Sequence, residues 1–386
     1  MVNISSPPAY FKDKESRKIL VIFPDFGING VKTLVNSLYS EGFEGYDIKK
    51  IGIWFDEIYK ANGKEIVAKD REEKQKLKSL VKEDMEKYNP DIIHLHSYAI
   101  DKEILGFILN NYRDRTVYTV HSVVPYDDLN FLLDFGIDVK NNKELVRELV
   151  KKASLEENLE IAAEDVIRKY KIPSEAKTPI AIALYMIALQ KELLNNSRYI
   201  TYISPFVKEK IREIYGIEKG IIIPNGTDIF RKYEGIKERI NRIAEEWKRN
   251  NNFSDKILIL YTGRIVEDKG VLDLIKAFKE LEDKDIVLYL SGSYTEEMRE
   301  KIDKIVGKDG RIYIIDDPKG APEDSLLATY IAADIVVYPS KHEPFGLVPI
   351  EAASLGKEVI VRYVDNLKTF VDEGIAEGFE TKEELK

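Results

Sequence analysis

The sequence predicts an α/β protein with two domains, each built on a parallel sheet covered by helices. Its 386 residues are more than one hydrophobic core usually holds. Apolar runs typical of buried strands alternate with amphipathic helical patterns, which is the pattern of parallel α/β sheets. These runs lie at residues 17–24, 46–55, 91–97, 117–122, 256–263, 286–292, 311–316 and 334–338.

Composition narrows the classes of function. The chain has a formal net charge of −9 and no block of Lys or Arg that stands free of acidic residues, which disfavours a nucleic-acid partner. It has no cysteine, which excludes disulfides, thiolate nucleophiles and thiolate metal sites. The longest apolar run, residues 180–189, is too short to span a membrane and predicts a buried helix, so no stable membrane insertion is expected. The polar N-terminus lacks an apolar signal core, and a cytoplasmic location is expected.

In the first half of the chain, candidate site residues lie at the ends of the predicted strands. The first strand leads into a loop with Gly27 and Gly30, where the backbone could approach a ligand closely, although a tight turn without a ligand fits equally well. His94, His96 and His121 also lie at strand ends, where ligands bind in α/β sheets. Because His94 and His96 alternate, one of them is predicted to face away and be structural.

In the second half, a strand is followed by Gly263, Arg264, Lys269 and Gly270, immediately before a predicted helix at residues 271–281. Two cations at a strand-to-helix turn can neutralise a diphosphate, since the charges and the helix N-terminus act on the same oxygens. Surface cations are also common at such turns. The pattern therefore predicts a candidate diphosphate clamp formed by Arg264 and Lys269.

The stretch from Tyr338 to Gly356 carries the strongest signal. Glu343 and Glu351 have seven residues between them, and Phe345, Gly346 and Leu347 lead into a predicted helix. A strand, loop and helix in this order present backbone N–H groups and a helix dipole to one crevice. Carboxylates accept hydrogen bonds from sugar diols. Glu343 is predicted to lie in the loop and Glu351 in the first turn of the helix. The alternative is a surface glutamate in the loop and a second glutamate that only complements the helix dipole.

This stretch resembles the E-x7-E signature of retaining glycosyltransferases of the GT-B class, the group that holds glycogen synthase and sucrose synthase. Residues 263–270 are similar to the G-R-x4-K-G motif of that group, residues 29–31 to its glycine loop, and residues 224–228 to its domain-boundary motif. His121 resembles the histidine of its T-x-H motif. The sequence departs from the family pattern at two places. Gly27 stands where strict glycogen synthases have a lysine, and the C-terminal segment lacks the usual Gly-Gly-x-x-Glu loop.

The resemblance implies two Rossmann-like domains that face each other across a cleft. Residues 1–228 would form the acceptor-side domain, with a helical insertion at about 127–196. Residues 229–386 would bind the nucleotide sugar and are shortened, either natively or by truncation. Because a nucleotide sugar is a substrate, no cofactor is expected; an oligomer is possible.

The resemblance also assigns roles to residues. Glu343 would contact the transferred sugar, the amides of Phe345, Gly346 and Leu347 its hydroxyls, and Glu351 the nucleotide ribose. Arg264 and Lys269 would stabilise the leaving diphosphate, His121 would approach the sugar, and Gly30 would lie in the substrate loop. These assignments follow the family motifs position by position.

The resemblance implies retaining transfer of a hexosyl group from a nucleoside diphosphate sugar to a hydroxyl acceptor. The first candidate is transfer of glucose from UDP-glucose or ADP-glucose to an α-glucan. The alternatives are a small soluble or lipid-linked acceptor, a nucleotide-sugar epimerase of the same fold, and an inactive sugar-nucleotide-binding subunit. Asp283 and Asp285 spell the D-x-D motif of metal-dependent transferases. They precede a strand instead of following one, so no metal site is predicted.

Overall fold

A computed structural model describes residues 16–386 except 25–29, 40–42, 56, 62–63, 128, 130–131, 133–134, 156–157 and 318–321. The chain divides into two compact units, residues 1–223 and 224–386. The division lies five residues before the boundary predicted from the sequence, at the start of the segment with Pro224, Asn225 and Gly226. Each unit has its own sheet and its own core.

The first unit contains an eight-stranded sheet in the order β4-β3-β2-β1-β5-β6-β7-β8. Its strands are β1 (Arg17–Pro24), β2 (Tyr46–Trp54), β3 (Ile58–Ala61), β4 (Lys64–Val67), β5 (Ile92–Leu95), β6 (Thr116–Val120), β7 (Tyr199–Tyr202) and β8 (Ile221–Ile222). In the part of the sheet that runs β2-β1-β5-β6-β7-β8, every pair of neighbouring strands is parallel. Strands β3 and β4 form an antiparallel extension next to β2. The alternation of strands and helices did not predict this extension, because its two strands are only four residues each.

The helices of the first unit include the predicted insertion. They are α1 (Gly30–Leu38), α2 (Arg71–Tyr88), α3 (Lys102–Tyr112), α4 (Val124–Asp127), α5 (Lys143–Lys152), α6 (Leu159–Tyr170), α7 (Lys177–Asn196) and α8 (Pro205–Tyr215). Helices α4 to α7 share a hydrophobic cluster built from residues such as Leu149, Val166 and Leu184. The buried Gln190 ties α7 to the end of β6, because its side chain accepts from Val124 N at 2.9 Å and donates to Ser122 O at 2.8 Å. The insertion therefore supports the turn that follows His121.

The second unit contains a six-stranded, fully parallel sheet in the order β11-β10-β9-β12-β13-β14. Its strands are β9 (Ile257–Thr262), β10 (Ile286–Gly292), β11 (Ile312–Asp316), β12 (Ile335–Tyr338), β13 (Glu358–Arg362) and β14 (Glu377–Phe379). Its helices are α9 (Ile229–Asn250), α10 (Val271–Lys279), α11 (Glu296–Val306), α12 (Glu323–Ala332), α13 (Leu347–Ser354), α14 (Leu367–Asp372) and α15 (Lys382–Leu385). Helix α9 is kinked at Ile236, whose backbone is non-helical.

Each sheet has a point where the strand order reverses. In the second unit the chain builds outward from β9 to β11 and then returns to add β12 on the other side of β9, which is the Rossmann order. In the first unit the reversal lies between β1 and β5. Loops that leave neighbouring strands in opposite directions open a crevice at such a point. The predicted α/β fold class is confirmed for both units.

Among the described residues, no helix combines the length and the apolar character that crossing a membrane requires. The apolar run that predicted a buried helix lies within α7, where residues such as Ile180, Leu184 and Leu189 are at most 1% exposed. The run therefore serves the core of the first unit.

Candidate functional site

The two motif loops of the second unit meet at its switch point. One loop follows β9 and carries Arg264 and Lys269, and the other follows β12 and carries Glu343. Because β9 and β12 are hydrogen-bonded neighbours, residues 74 positions apart in the sequence come into contact. The backbones of the two loops are also joined directly, since Lys341 N donates to Asp268 O at 2.8 Å.

Gly270 permits this close approach. It has φ +69°, and a Cβ atom at this position would lie 2.1 Å from the carbonyl oxygen of Pro339. A side chain would therefore force the loops apart, and its backbone would be strained as well. The glycine that the sequence placed at a strand-to-helix turn is required by the neighbouring loop.

Lys269, Glu343 and Tyr338 form a compact triangle. Lys269 Nζ lies 2.6 Å from Glu343 Oε2 and donates to the Tyr338 hydroxyl at 3.2 Å, and that hydroxyl donates to Glu343 Oε2 at 2.7 Å. The side chains of Lys269 and Glu343 are only 17% and 13% exposed. Removing one member of such a pair leaves the other charge poorly solvated, which is strongly destabilising. The pair therefore holds both predicted residues in fixed positions.

Arg264 differs from Lys269 in its surroundings. It is exposed, and its backbone carbonyl accepts a hydrogen bond from the Tyr261 hydroxyl at 2.5 Å. The ring of Tyr261 is nearly parallel to that of Tyr338, with centroids 6.4 Å apart. The turn that presents Arg264 is thus held through its backbone, and the exposed side chain is open to solvent.

The loop that carries Glu343 is anchored by Asp365 and Asn366, which follow β13. Glu343 N donates to Asp365 Oδ2 at 3.0 Å, and the same carboxylate contacts His342 Nδ1. Asn366 Nδ2 donates to Phe345 O at 2.8 Å. These bonds fix the backbone on both sides of Glu343.

Gly346 is the N-cap of α13, with φ +99°. A Cβ here would lie 2.9 Å from Leu367 Cδ2 and 3.1 Å from Phe370 Cε2. The Phe345 side chain is buried against Phe370, with ring centroids 5.8 Å apart, and belongs to the core. What the segment from Phe345 to Leu347 offers a ligand is therefore backbone N–H groups at a helix start.

Glu351 lies in the second turn of α13, one turn later than the sequence suggested, because the helix begins at Leu347. Its Oε2 accepts a hydrogen bond from the buried Tyr330 hydroxyl at 2.9 Å. Burial raises the pKa of the Glu351 carboxyl, and the charge of Asp228 adds to this, while the bond from Tyr330 opposes it. Little solvent reaches the carboxylate to stabilise its charge, so a ligand that donates hydrogen bonds would stabilise the charged form.

In the first unit, three histidines form a stacked cluster where β5 and β6 end. His94 lies between the Tyr39 hydroxyl, 2.7 Å from Nδ1, and Thr119 Oγ1, 2.6 Å from Nε2. His96 Nδ1 lies 2.9 Å from His121 Nε2. The His94 and His96 rings are 4.0 Å apart and those of His96 and His121 are 5.2 Å apart.

The prediction that His94 and His96 face opposite ways is wrong. Side chains two positions apart in a strand point to the same face, and both rings pack edge-on against Tyr39. Burial lowers the pKa of His94 to about 4 and that of His121 to about 3, and it lowers the pKa of His96 well below its usual value. The three imidazoles are therefore neutral at physiological pH and act as hydrogen-bonding groups.

The substrate loop of the first unit is only partly described. Gly30 is the first residue of α1, which follows β1 at the switch point, and Gly27 and Asn29 lie outside the described residues. Asp283 and Asp285 precede β10 and are engaged by backbone and lysine groups: Asp283 Oδ1 accepts from Asp285 N at 2.7 Å, and Lys256 Nζ lies 2.6 Å from Asp285 Oδ1. Across the described ranges, no three His, Asp or Glu side chains form a group that could hold a metal ion.

Sequence reasoning missed three residues that shape the site: Tyr338, Tyr330 and Asp365. Tyr338 and Tyr330 are buried and contact Glu343 and Glu351 through their hydroxyls, and Asp365 holds the Glu343 backbone. The signal for Tyr338 was its place at the end of a buried strand, directly before the motif. Tyr330 and Asp365 left no comparable signal, since their contacts cross between elements.

Residues 243–384, which lie within the second unit, match the family model "Glycosyl transferases group 1". The chain is 28% identical over 242 residues to lipopolysaccharide 1,2-N-acetylglucosaminetransferase of Salmonella typhimurium, covering 58% of this chain and 60% of that protein. It is 24% identical over 299 residues to glycogen synthase of Desulfitobacterium hafniense, covering 74% of this chain and 58% of that one. The chain thus matches about three fifths of the length of these relatives.

Solved structures agree on the fold. Sucrose-phosphate synthase from Thermosynechococcus elongatus superposes with a TM-score of 0.62 at 18% identity, covering 96% of this chain and 88% of that one. Anabaena HepE in complex with UDP and glucose superposes with a TM-score of 0.60 at 13% identity, again covering 96% and 88%. These neighbours are GT-B glycosyltransferases, which supports the fold class predicted from the motifs.

The first prediction concerns the histidine cluster. The imidazole signals of His94, His96 and His121 should keep constant NMR chemical shifts between about pH 8 and about pH 5, because burial holds all three neutral. The unfolded chain in urea, whose histidines titrate near 6.5, is the control. Since the pKa values are lower in the folded state, stability should fall as the pH drops below 6.5. A midpoint above about pH 6 for His121 would contradict the burial of the cluster.

The second prediction concerns Glu351. Because burial raises its pKa in the folded state, the charged carboxylate costs stability at neutral pH, and Glu351→Gln should increase the free energy of unfolding by on the order of 1 kcal/mol. The gain should shrink as the pH falls and should be lost below 4.5, where the wild-type carboxyl becomes neutral in both states. Urea denaturation measures this, with the exposed Glu358→Gln as the matched control. A loss of stability that does not change with pH would show that the bond from Tyr330 outweighs the buried charge.

Proposed function

We propose that the chain is a retaining, metal-independent glycosyltransferase that moves a hexosyl group from a nucleoside diphosphate sugar to a hydroxyl acceptor. One observation carries the proposal: the triangle of Lys269, Glu343 and Tyr338 lies at the switch point of the unit that matches the glycosyltransferase group 1 family model. Ligands of open α/β sheets bind at such points.

The donor diphosphate is assigned to Arg264 and Lys269. A lysine ammonium group has three N–H donors, and those of Lys269 that do not serve Glu343 or Tyr338 can reach a phosphate oxygen. The exposed Arg264 guanidinium supplies a second charge from the same turn. Cations held in advance where the leaving diphosphate gains negative charge lower the barrier without further reorganisation.

The transferred sugar is assigned to Glu343 and the ribose to Glu351. Glu343 Oε2 is occupied by Lys269 and Tyr338, which suits a carboxylate that orients hydroxyl groups better than one that attacks an anomeric carbon. We therefore assign no covalent nucleophile, and transfer proceeds by front-face attack beside the leaving phosphate. His121, as a neutral imidazole, is assigned a hydrogen bond to a sugar hydroxyl.

Glucose is the preferred sugar. HepE is described in complex with UDP and glucose, and glycogen synthase is among the relatives, which supports UDP-glucose or ADP-glucose as the donor and an α-glucan as an acceptor. A small soluble or lipid-linked acceptor is the close alternative, and the lipopolysaccharide N-acetylglucosaminetransferase favours keeping it. We further propose that the protein acts in the cytoplasm.

The third prediction tests this function. Incubated with a panel of nucleotide sugars, with and without hydroxyl acceptors, the protein should release the nucleoside diphosphate only when an acceptor is present. Conversion of the donor without an acceptor would indicate an epimerase, and binding without turnover would indicate an inactive subunit.

Arg264→Ala and Glu343→Gln should each lower turnover by about 100-fold or more, because Arg264 acts where the leaving diphosphate gains charge and Glu343 orients the transferred sugar. Lys284→Ala, which changes a charge before β10, is the matched control.

The fourth prediction is that turnover survives exhaustive treatment with EDTA, because Arg264 and Lys269 supply the positive charge that a divalent metal would bring. The Asp283→Ala/Asp285→Ala double variant should likewise keep full activity. Loss of activity in both cases, with recovery of the chelated wild type on adding magnesium or manganese, would overturn the metal-free mechanism.

A further inference from the structure

We propose that Tyr338 is a positioning residue that holds Glu343 and Lys269 in their working geometry through its hydroxyl group. The inference rests on the proposed function, which it deepens, and neither the sequence motifs nor the family comparisons assign a role to this side chain. Tyr338 is the last residue of β12 and directly precedes the loop that carries Glu343.

The hydroxyl of Tyr338 joins both charged groups at once. It donates to Glu343 Oε2 at 2.7 Å and accepts from Lys269 Nζ at 3.2 Å. The ammonium group also lies 5.4 Å from the centre of the Tyr338 ring, within range of a cation–π interaction. A phenol can donate one hydrogen bond and accept others, so this single hydroxyl sets the positions of the Glu343 carboxylate and the Lys269 ammonium group relative to each other.

The ring of Tyr338 cannot easily turn away from this position. It is 6% exposed and stacks on Tyr261, with an angle of 11° between the ring planes. Tyr261 in turn holds the Arg264 carbonyl, so the two stacked rings connect the two motif loops. Burial raises the pKa of Tyr338 well above its usual value, and the charge of Glu343 adds to this. The phenol therefore keeps its proton and remains a donor to Glu343.

The hydroxyl group is not needed to fill the core. A phenylalanine would keep the ring, the stacking on Tyr261 and most of the buried apolar surface. What it would lose is the hydrogen bonds to the two charged groups, and bonds of this kind are among the stronger ones in proteins. The Tyr338 hydroxyl, which lies between Lys269 and Glu343, therefore has a role in the candidate site and is not required for folding.

The test is Tyr338→Phe, compared with Tyr289→Phe in the same unit, where the ring packs edge-on against Trp247 with centroids 5.0 Å apart. Tyr338→Phe should lower kcat by roughly 10- to 100-fold with little change in the KM for the donor, because a charged group loses a hydrogen bond that matters during transfer. Tyr289→Phe should leave both constants unchanged, and both variants should melt within a few degrees of the wild type. Equal kcat values for Tyr338→Phe and the wild type would overturn the proposal.

A double-mutant cycle shows whether Tyr338 acts through Glu343. In a Glu343→Gln background, which keeps the size of the side chain, Tyr338→Phe should lower kcat by clearly less than it does in the wild-type background, because one of the two groups that it positions has already been changed. Fully additive losses would mean that Tyr338 acts independently of Glu343 and would overturn the assignment.

A second measurement does not depend on turnover. In protein labelled with ¹⁵N-lysine, the Lys269 ammonium signal, assigned from its loss in Lys269→Arg, should be protected in the wild type and broadened or shifted in Tyr338→Phe. Tyr289→Phe should leave it unchanged. An unaltered Lys269 signal in Tyr338→Phe would reject the positioning role. An altered signal in a protein without transferase activity would reject the proposed function while leaving the positioning role intact.

Discussion

The ion pair of Lys269 and Glu343 is the interaction on which the candidate site depends. Each side chain is largely removed from water, so each requires the other as a counter-charge. The pair forms because β9 and β12 are neighbours in a parallel sheet and their loops leave from the same edge. Gly270, which lets the loops touch, and Tyr338, which bridges the charges, both serve this contact. The charged groups of such a site are in place before any ligand arrives, and electrostatic catalysis relies on groups arranged in advance.

The two units offer different chemistry. The second unit presents charged groups: an exposed guanidinium, a buried ion pair and the half-buried carboxylate of Glu351. The first unit presents neutral imidazoles, because its three histidines pack against one another and burial lowers their pKa values. Charged groups suit a nucleotide diphosphate, and neutral hydrogen-bonding groups suit sugar hydroxyls. This division agrees with the roles that we propose, and it makes proton transfer by His121 at neutral pH an unfavourable route.

Glu343 and Glu351 illustrate how similar residues acquire different properties from their surroundings. Glu343 is paired with a lysine and a phenol, whereas Glu351 has a phenol and a nearby aspartate, and burial raises its pKa. The negative charge of Glu343 is therefore balanced within the protein. The charge of Glu351 is poorly balanced until a ligand donates hydrogen bonds to it. The proposed binding of ribose hydroxyls by Glu351 is consistent with this difference, because such a ligand would supply the missing hydrogen bonds.

The sequence by itself determined the α/β class, the positions of most strands and the motif residues, because hydrophobic periodicity and glycine at strand ends are local properties. It also placed Arg264, Lys269 and Glu343 in loops next to strand ends, where they are found. It placed Glu351 in the first turn of a helix, whereas the residue lies in the second turn. Only the tertiary structure decided that Lys269 pairs with Glu343, that Tyr338 bridges them and that His96 contacts His121. Periodicity could not reveal these contacts, because they join residues of different strands and loops, most of them far apart in the chain. Which strands become neighbours, and where each strand stops, follows from packing of the whole sheet and not from any single segment.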